Sequence, residues 1–376
     1  MDSAWATVTV IIVFAEFQSM KTLDISNDTT EFEVSAQFSS NGQISESCTR
    51  EICRLVDTAG FAVVNDLLDS SEADHGLAMM RQHLEDPNRE KGDFASQTDM
   101  RYGRRDFCPL PSNPDVLSYA ATLAQRLQPA IQEYCGVTRK VLEISTMTSY
   151  RGASHQYIHR DPDGVLCLFA AVDDVTSEQG GTVFVPGTHK FSGADMMFDG
   201  RADFLSRLYQ AACNYSILGH NLRTLWSMRK KGTDTLRPGE WKDRVFSTRY
   251  DNHQPNIFRF LLGKNSVFSF SPRTLWQIRQ HRKTLARYFR TVQTAPRKGT
   301  VILYRSDMLH AGPDNRTDRP RYFFGMSIAR DIVFEQQWRE GYSSHSTLLE
   351  NPQNFGDLLS YPTESFKPGM EQNHAA

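Results

Sequence analysis

The chain has 376 residues, 39% hydrophobic and 11% aromatic, with 42 Lys and Arg against 44 Asp and Glu. That balance builds a large packed domain and excludes a disordered, collagen-like or largely membrane-embedded chain. Six cysteines, at 48, 53, 108, 135, 167 and 213, form no C-x-x-C pair and no dense framework, which argues against a disulfide scaffold and for a reducing, cytoplasmic setting.

The first segments are weakly specified. The apolar run ATVTVIIVFA (6–15) has the length of a signal-peptide core, but no basic residue precedes it and no clear cleavage site follows, so it is a weak targeting candidate. It is too short to span a bilayer, so no transmembrane segment is predicted, and Met20 is an alternative start. Residues 20–45 are polar and rich in Ser and Thr without a clear period, the composition of a loose arm. The reading is an arm over 1–45, a domain over 46–335 and a tail over 336–376 that either covers the pocket or is loose.

NPDVLSYAATLAQRLQPAIQEYCG (113–136) has a Pro near its start, apolar residues at helical spacing and a Gly stop; it predicts an amphipathic helix supporting the core from behind. VLEISTMTSY (141–150) predicts a strand leading to HRD at 159–161. On a strand, residues i and i+2 project from one face, so His159 and Asp161 can share a ligand while Arg160 points away. The following stretch, 191–298, is the most basic, with 20 Arg and Lys against 7 Asp and Glu. A lid for a phosphate-bearing substrate, a nucleic-acid surface and a solvated helical insertion paired to the acidic remainder all fit that charge. The last is preferred, and no nucleic-acid motif accompanies the charge, so nucleic acid is an unlikely partner. VILY (301–304) reads as a buried strand running into His310, and RYFFGMSIA (321–329) as a strand antiparallel to it across the turn AGPDNRTDRP.

Two histidines and one carboxylate are the ligand set of a non-haem Fe(II) site, which leaves three positions for a co-substrate and dioxygen. His159, Asp161 and His310 supply that set. The planar, permanently charged guanidinium of Arg321 suits a bidentate grip on the carboxylate of a 2-oxo acid chelating the iron. With 11 histidines in the chain, an isolated H-x-D says little. The order carries the information: H-x-D, then GGTVFVPGTHK (180–190), then His310 and Arg321 eleven residues apart.

In these motifs the chain resembles the phytanoyl-CoA dioxygenase family of Fe(II)/2-oxoglutarate-dependent oxygenases. The likeness extends to RLVDTAGFAVVNDLLDSSEADHGLAMMRQHL (54–84), which is similar to the family's opening helix, strand and helix, and spans about 50–190 and 296–331. It implies an α+β protein with a mainly β core, a double-stranded β-helix (jelly-roll) with flanking helices. It further implies Fe(II) on His159, Asp161 and His310, 2-oxoglutarate on Arg321, and Gln156 and Thr182 as further 2-oxoglutarate contacts. Dioxygen is the other co-substrate. Halogenating relatives lack the carboxylate, so Asp161 implies hydroxylation or desaturation. The substrate class is a small molecule, an acyl-CoA thioester or a specialised metabolite. The long insertion before His310 is not inherited from the family.

Other residues have plainer readings. His155 is structural or supports the site, Asp163 shapes the DPDG turn, and His189 lines the pocket or the core. Arg319 is the reserve for the 2-oxoglutarate clamp. His220, His253 and His281 are hydrogen-bonded residues of the insertion, and Asp314 and Asn315 fit a turn. Two other function classes compete: a non-catalytic jelly-roll that binds or senses a metal or small molecule, and an oxygenase directed at nucleic acid. The chain has no G-x-S-x-G elbow, phosphate loop or G-x-G-x-x-G.

Overall fold

The computed structural model describes residues 25–89, 102–161, 163–191, 204–231, 240, 272–331 and 354–363. Its helices start where the sequence offers caps. Helix α1 (Glu46–Thr58) opens on Ser45, whose hydroxyl accepts from Cys48 N, and α2 (Ser70–Glu85) on a capping box of Asp69 and Glu72. Helix α3 (Pro114–Tyr134) opens on Asn113 with Pro114 in its first turn, close to the predicted 113–136. Bidentate contact of Arg126 with Glu72 ties α3 to α2.

Two sheets form the centre. The larger has seven strands: β2 (Glu33–Ser35), β3 (Phe61–Asn65), β4 (Arg105–Pro109), β5 (Val141–Ser149), β6 (Val165–Ala171), β9 (Val301–Arg305) and β11 (Arg321–Ala329), in the spatial order β2-β3-β9-β6-β11-β5-β4. The smaller contains β1 (Ile25–Ser26), β7 (Val183–Phe184), β8 (Thr291–Gln293) and β10 (His310–Ala311), in the order β1-β8-β7-β10. Phe184 joins the sheets, its ring 4.4 Å from Phe61 and 5.4 Å from Tyr304.

Alternation divides the large sheet into two faces. Ile144, Leu166, Leu168, Phe324 and Met326 pack into the main core, where Tyr119 of α3 meets Phe324 edge-on at 4.9 Å. Residues 354–361 join α3 on this side: Phe355 and Leu358 of α6 (Phe355–Ser360) are buried, and Gln125 donates to Leu359 O and Tyr361 O. The opposite face carries the functional groups.

Two sequence expectations change here. Residues 20–45 are not a loose arm from Ile25 onward, because β1 runs parallel to β8 and β2 parallel to β3, with Phe32, Val34 and Ile44 buried. Their partners lie remote in sequence, so no local period announces them. Strand β11 does not pair with β9; β6 stands between them, antiparallel to both, so β9 and β11 run parallel. The intervening chain leaves the large sheet to build β10 in the other one. Within the basic stretch, α4 (Phe204–Lys231) and α5 (Pro272–Tyr288) pack with Ile158, Val183, Val185 and Leu309 in a second apolar cluster. Arg290 pairs with Glu31 and Lys298 with Asp74, which joins this stretch to acidic residues elsewhere through surface pairs worth under about 1 kcal/mol each. Among the described residues, no helix is long and apolar enough to cross a membrane, and all six cysteines are free thiols.

Candidate metal centre

His159 and His310 face each other in an antiparallel bridge, His159 N–H donating to His310 O at 3.0 Å and the reverse bond at 2.8 Å. Their rings lie side by side, centroids 4.7 Å apart. Each Nδ1 faces the carbonyl two residues back, Tyr157 O at 2.7 Å and Met308 O at 2.9 Å. These acceptors place the proton on Nδ1 and leave the Nε2 lone pair for a ligand. Asp161 is anchored by its N–H to Ser306 O, and its carboxylate oxygens lie 3.3 Å from His310 Nε2 and 3.9 Å from His159 Nε2.

The three donor atoms lie within 4.8 Å of one another, and this is the one such group among the described residues. Ligands of one octahedral ion, bound at about 2.1 Å, stand roughly 3 Å apart, so the donor set fits a single small cation. Asp161 is the most exposed of the three, which leaves an open side. Arg160 points away as expected, donating to Thr188 O and to the Ser206 hydroxyl.

HRD does not lie on a regular strand as predicted. Gln156 N–H donates to Gly312 O while His159 pairs with His310, so four residues on one side oppose three on the other, the spacing of a β-bulge. Helix α4 covers the bulge. Asn214 accepts from Ile158 N at 2.7 Å and donates to Ile158 O at 3.1 Å; Gln210 donates to the same carbonyl at 3.0 Å. Asn221 likewise accepts from His155 N and donates to His155 O.

Arg321 is fully buried on the functional face. It donates to Gly180 O, to Gly181 O at 2.9 Å and to Ser149 Oγ at 2.8 Å, its partner across β5. A Cβ on Gly181 would stand 2.2 Å from Thr294 O, and one on Gly180 would stand 2.5 Å from Pro313, so two glycines let this turn reach the guanidinium. Arg321 Nε has no partner, and no carboxylate forms an ion pair with it, among the described residues. Burial and then the nearby Arg105 guanidinium push its pKa down, against a smaller pull from Asp314. A charge held this way fits a carboxylate ligand.

Arg105, which the sequence reading missed, is equally buried and donates to Ser154 O and Pro313 O. Nothing in YGRRDFC separates it from its exposed-looking neighbours; its role depends on β4 pairing with β5, which sets Arg105 opposite Ser149. Gln156 Oε1 accepts from Gly312 N, and a Cβ on Gly312 would meet both this oxygen and Arg105. Thr182, next to Gly181, is buried with its N–H donating to Thr294 Oγ1.

From these arginines the functional face continues through Phe107, Met147, Phe323 and Phe169 to Glu143, Ser145, Ser327 and Cys167. Ser145 Oγ donates to Glu143 at 2.6 Å. Tyr304, 5.4 Å from the His310 ring, closes the floor. Burial first, and then the charges of Asp161 and Glu143, push the Cys167 thiol up.

Among the described residues, the other histidines do not join the metal group. His155 is buried with Nδ1 on Gln156 O, and burial lowers its pKa to about 4. His189 contacts Asp57 O and packs against Gly60, His220 pairs with Asp314 at 3.0 Å, and His281 stacks edge-on to Phe204. His253 lies outside the described residues. Arg319 is exposed and paired to Asp173, so it is not placed to replace Arg321. Asp163 accepts from Gly164 N within its turn and pairs with Arg330; Asn315 accepts from Thr317 N in its own turn.

Comparison with known proteins adds a family. Residues 56–212 match the family model "Phytanoyl-CoA dioxygenase (PhyH)". No match is found among curated proteins. Similar solved structures include the epimerase SnoN from nogalamycin biosynthesis, at 15% identity over 76% of this chain and 84% of that one, TM-score 0.39. The carbocyclase SnoK from the same biosynthesis has 14% identity over 78% and 87%, TM-score 0.43. HygX from Streptomyces hygroscopicus, with nickel and 2-oxoglutarate bound, has 14% identity over 75% and 87%, TM-score 0.39. The family match contains His159 and Asp161 and ends before Arg321 and before His310, which the fold returns to His159. With a phytanoyl-CoA dioxygenase (PhyH) domain over residues 56–212 and a His-Asp-His group able to hold iron, the chain is a 2-oxoglutarate-dependent non-haem iron oxygenase.

Proposed function

We propose that the protein hydroxylates or desaturates an unactivated C–H bond of a small, polar organic molecule inside a double-stranded β-helix. His159, Asp161 and His310 hold Fe(II); Arg321 binds the distal carboxylate of 2-oxoglutarate, with Arg105, Gln156 and Thr182 around the co-substrate. The observation that carries this reading is the pairing of an open His-Asp-His group with a buried Arg321 that lacks a carboxylate partner among the described residues. When bound, the iron supplies oxidising power by activating dioxygen as 2-oxoglutarate is converted to succinate and carbon dioxide.

The chain's own residues supply geometry. The bridge between His159 and His310 fixes two donors, Ser306 O fixes the third by its backbone, and the Nδ1 acceptors keep both rings in the coordinating tautomer. Glu143, Ser145 and Ser327 put polar groups on the same face as the aromatic floor. An alkyl chain laid there would desolvate a carboxylate, so these groups favour a substrate bearing hydroxyl or amine donors over a fatty acyl thioester.

Anaerobic addition of Fe(II) and then 2-oxoglutarate to the metal-free protein tests the cofactor pair through the weak visible charge-transfer band of the chelate. A band that appears only with both components is expected. Folded, iron-loaded protein that gives no band would instead support a binding or sensing role.

A further inference from the structure

We infer that helix α4 acts as a surrogate β-strand for the ligand-bearing segment, making Asn214 and Asn221 positioning residues for the metal centre. This rests on the iron-site reading above. The bulge at 156–159 carries Ile158 out of the ladder, one residue before His159. Its N–H and C=O are in a dry setting where no water replaces a lost strand partner, because Ile158 is itself buried. Asn214, fully buried, answers both groups with one carboxamide, as Asn221 does for His155. Only an amide side chain carries a donor and an acceptor side by side in the manner of a peptide group; a hydroxyl or carboxylate cannot substitute.

The registers agree. From Asn214 to Asn221 the helix rises seven residues, about 10.5 Å at 1.5 Å each, and from Ile158 back to His155 an extended chain covers about 10 Å. Gln210 and Ser206 continue the same face toward Ile158 O and Arg160. The helix therefore runs antiparallel to the segment and holds it at four points on the side away from β10. Rotation of the Ile158 peptide would swing His159 Nε2 off the position shared with Asp161 and His310. The basic insertion is thus part of the frame of the site, whatever else it covers.

Asn214→Leu, Asn221→Leu and Leu218→Ala separate positioning from stability, Leu218 being a buried apolar residue of the same helix. Two readouts are taken on full-length protein: hydrogen exchange over 155–160 without metal, and Fe(II) affinity by anaerobic titration. Asn214→Leu should speed exchange there at least 100-fold and weaken Fe(II) binding by 10- to 100-fold, as loss of an outer support typically does. Asn214→Gln, which keeps the carboxamide, should recover part of both. Leu218→Ala, matched in melting temperature, should change neither. Wild-type iron affinity in Asn214→Leu, or an equal loss in Leu218→Ala, overturns the inference. If Asn214→Leu fails to fold, Asn221→Leu is read by the same criteria. A wild-type protein that does not bind iron would refute the iron-site reading, while exchange at 155–160 still decides the strand role.

Discussion

Replacing Arg321 by Met keeps the side-chain length and apolar stem and removes the charge. In the wild-type fold the guanidinium is buried, held by Gly180, Gly181 and Ser149, and close enough to Arg105 to feel its repulsion. A dicarboxylate arriving there meets a preorganised, desolvated cation, and deleting one partner of such a pair costs about 3–5 kcal/mol, roughly 160- to 5,000-fold in affinity. Thermal unfolding under nitrogen with Mn(II) in place of iron reads this directly. At 2-oxoglutarate one hundred times the wild-type Kd, binding stabilises the wild type by about 2.7 kcal/mol; the variant should gain less than about 0.4 kcal/mol at the same concentration. Mn(II) affinity itself should be unchanged, since Arg321 touches none of the three donors. A full 2-oxoglutarate shift in Arg321→Met would refute the clamp.

Acid should destabilise the protein through His155. Its folded pKa is about 4 against 6.5 for a solvated imidazole, so below pH 6.5 the unfolded chain takes up a proton that the folded chain refuses. Stability therefore falls as pH drops from 6.5 to 4, by about 2 kcal/mol at pH 5; urea melts at pH 7 and 5 should lose that difference in His155→Gln. Asp314 acts in another window: burial raises it, but the His220 contact and the charges of His155 and Arg316 together outweigh burial and hold it at about 2, so its contribution is lost only below the ordinary carboxylate range. Gly181→Ala should cost about 3 kcal/mol in urea unfolding, because the new Cβ meets a backbone carbonyl at 2.2 Å; a cost near zero would mean that the turn yields freely. Asp161→Ala should abolish succinate formation with the melting temperature retained, and wild-type turnover would remove Asp161 from the ligand set.

What the sequence made legible follows from distance along the chain. His159 and Asp161 sit two apart, and helix 114–134 announces itself through Asn113, Pro114 and its apolar spacing. His310 and Arg321 were recognisable from their spacing and flanking motifs. Arg105 was not, because a basic pair in a polar loop looks solvated until β4 is known to pair with β5. Asn214 and Asn221 were equally silent: in a helix sequence they look like surface polar residues, and only the bulge opposite explains their burial. The misplaced partner of β11 has the same origin, since alternation tells which residues share a face and says nothing about which strand lies beside them.

The bridge between His159 and His310 closes a loop of 151 residues. For a flexible chain the entropic cost of such closure is about 4 kcal/mol from the length dependence alone. Packing α4 against α5 shortens the effective loop before the ends meet. Assembly of the centre is therefore coupled to the folding of the insertion: a partly folded chain offers a metal ion only the local pair His159 and Asp161. His159 and Asp161 are neighbours in sequence, whereas His310 reaches them only across this closed loop, so the three-donor set is a property of the folded chain.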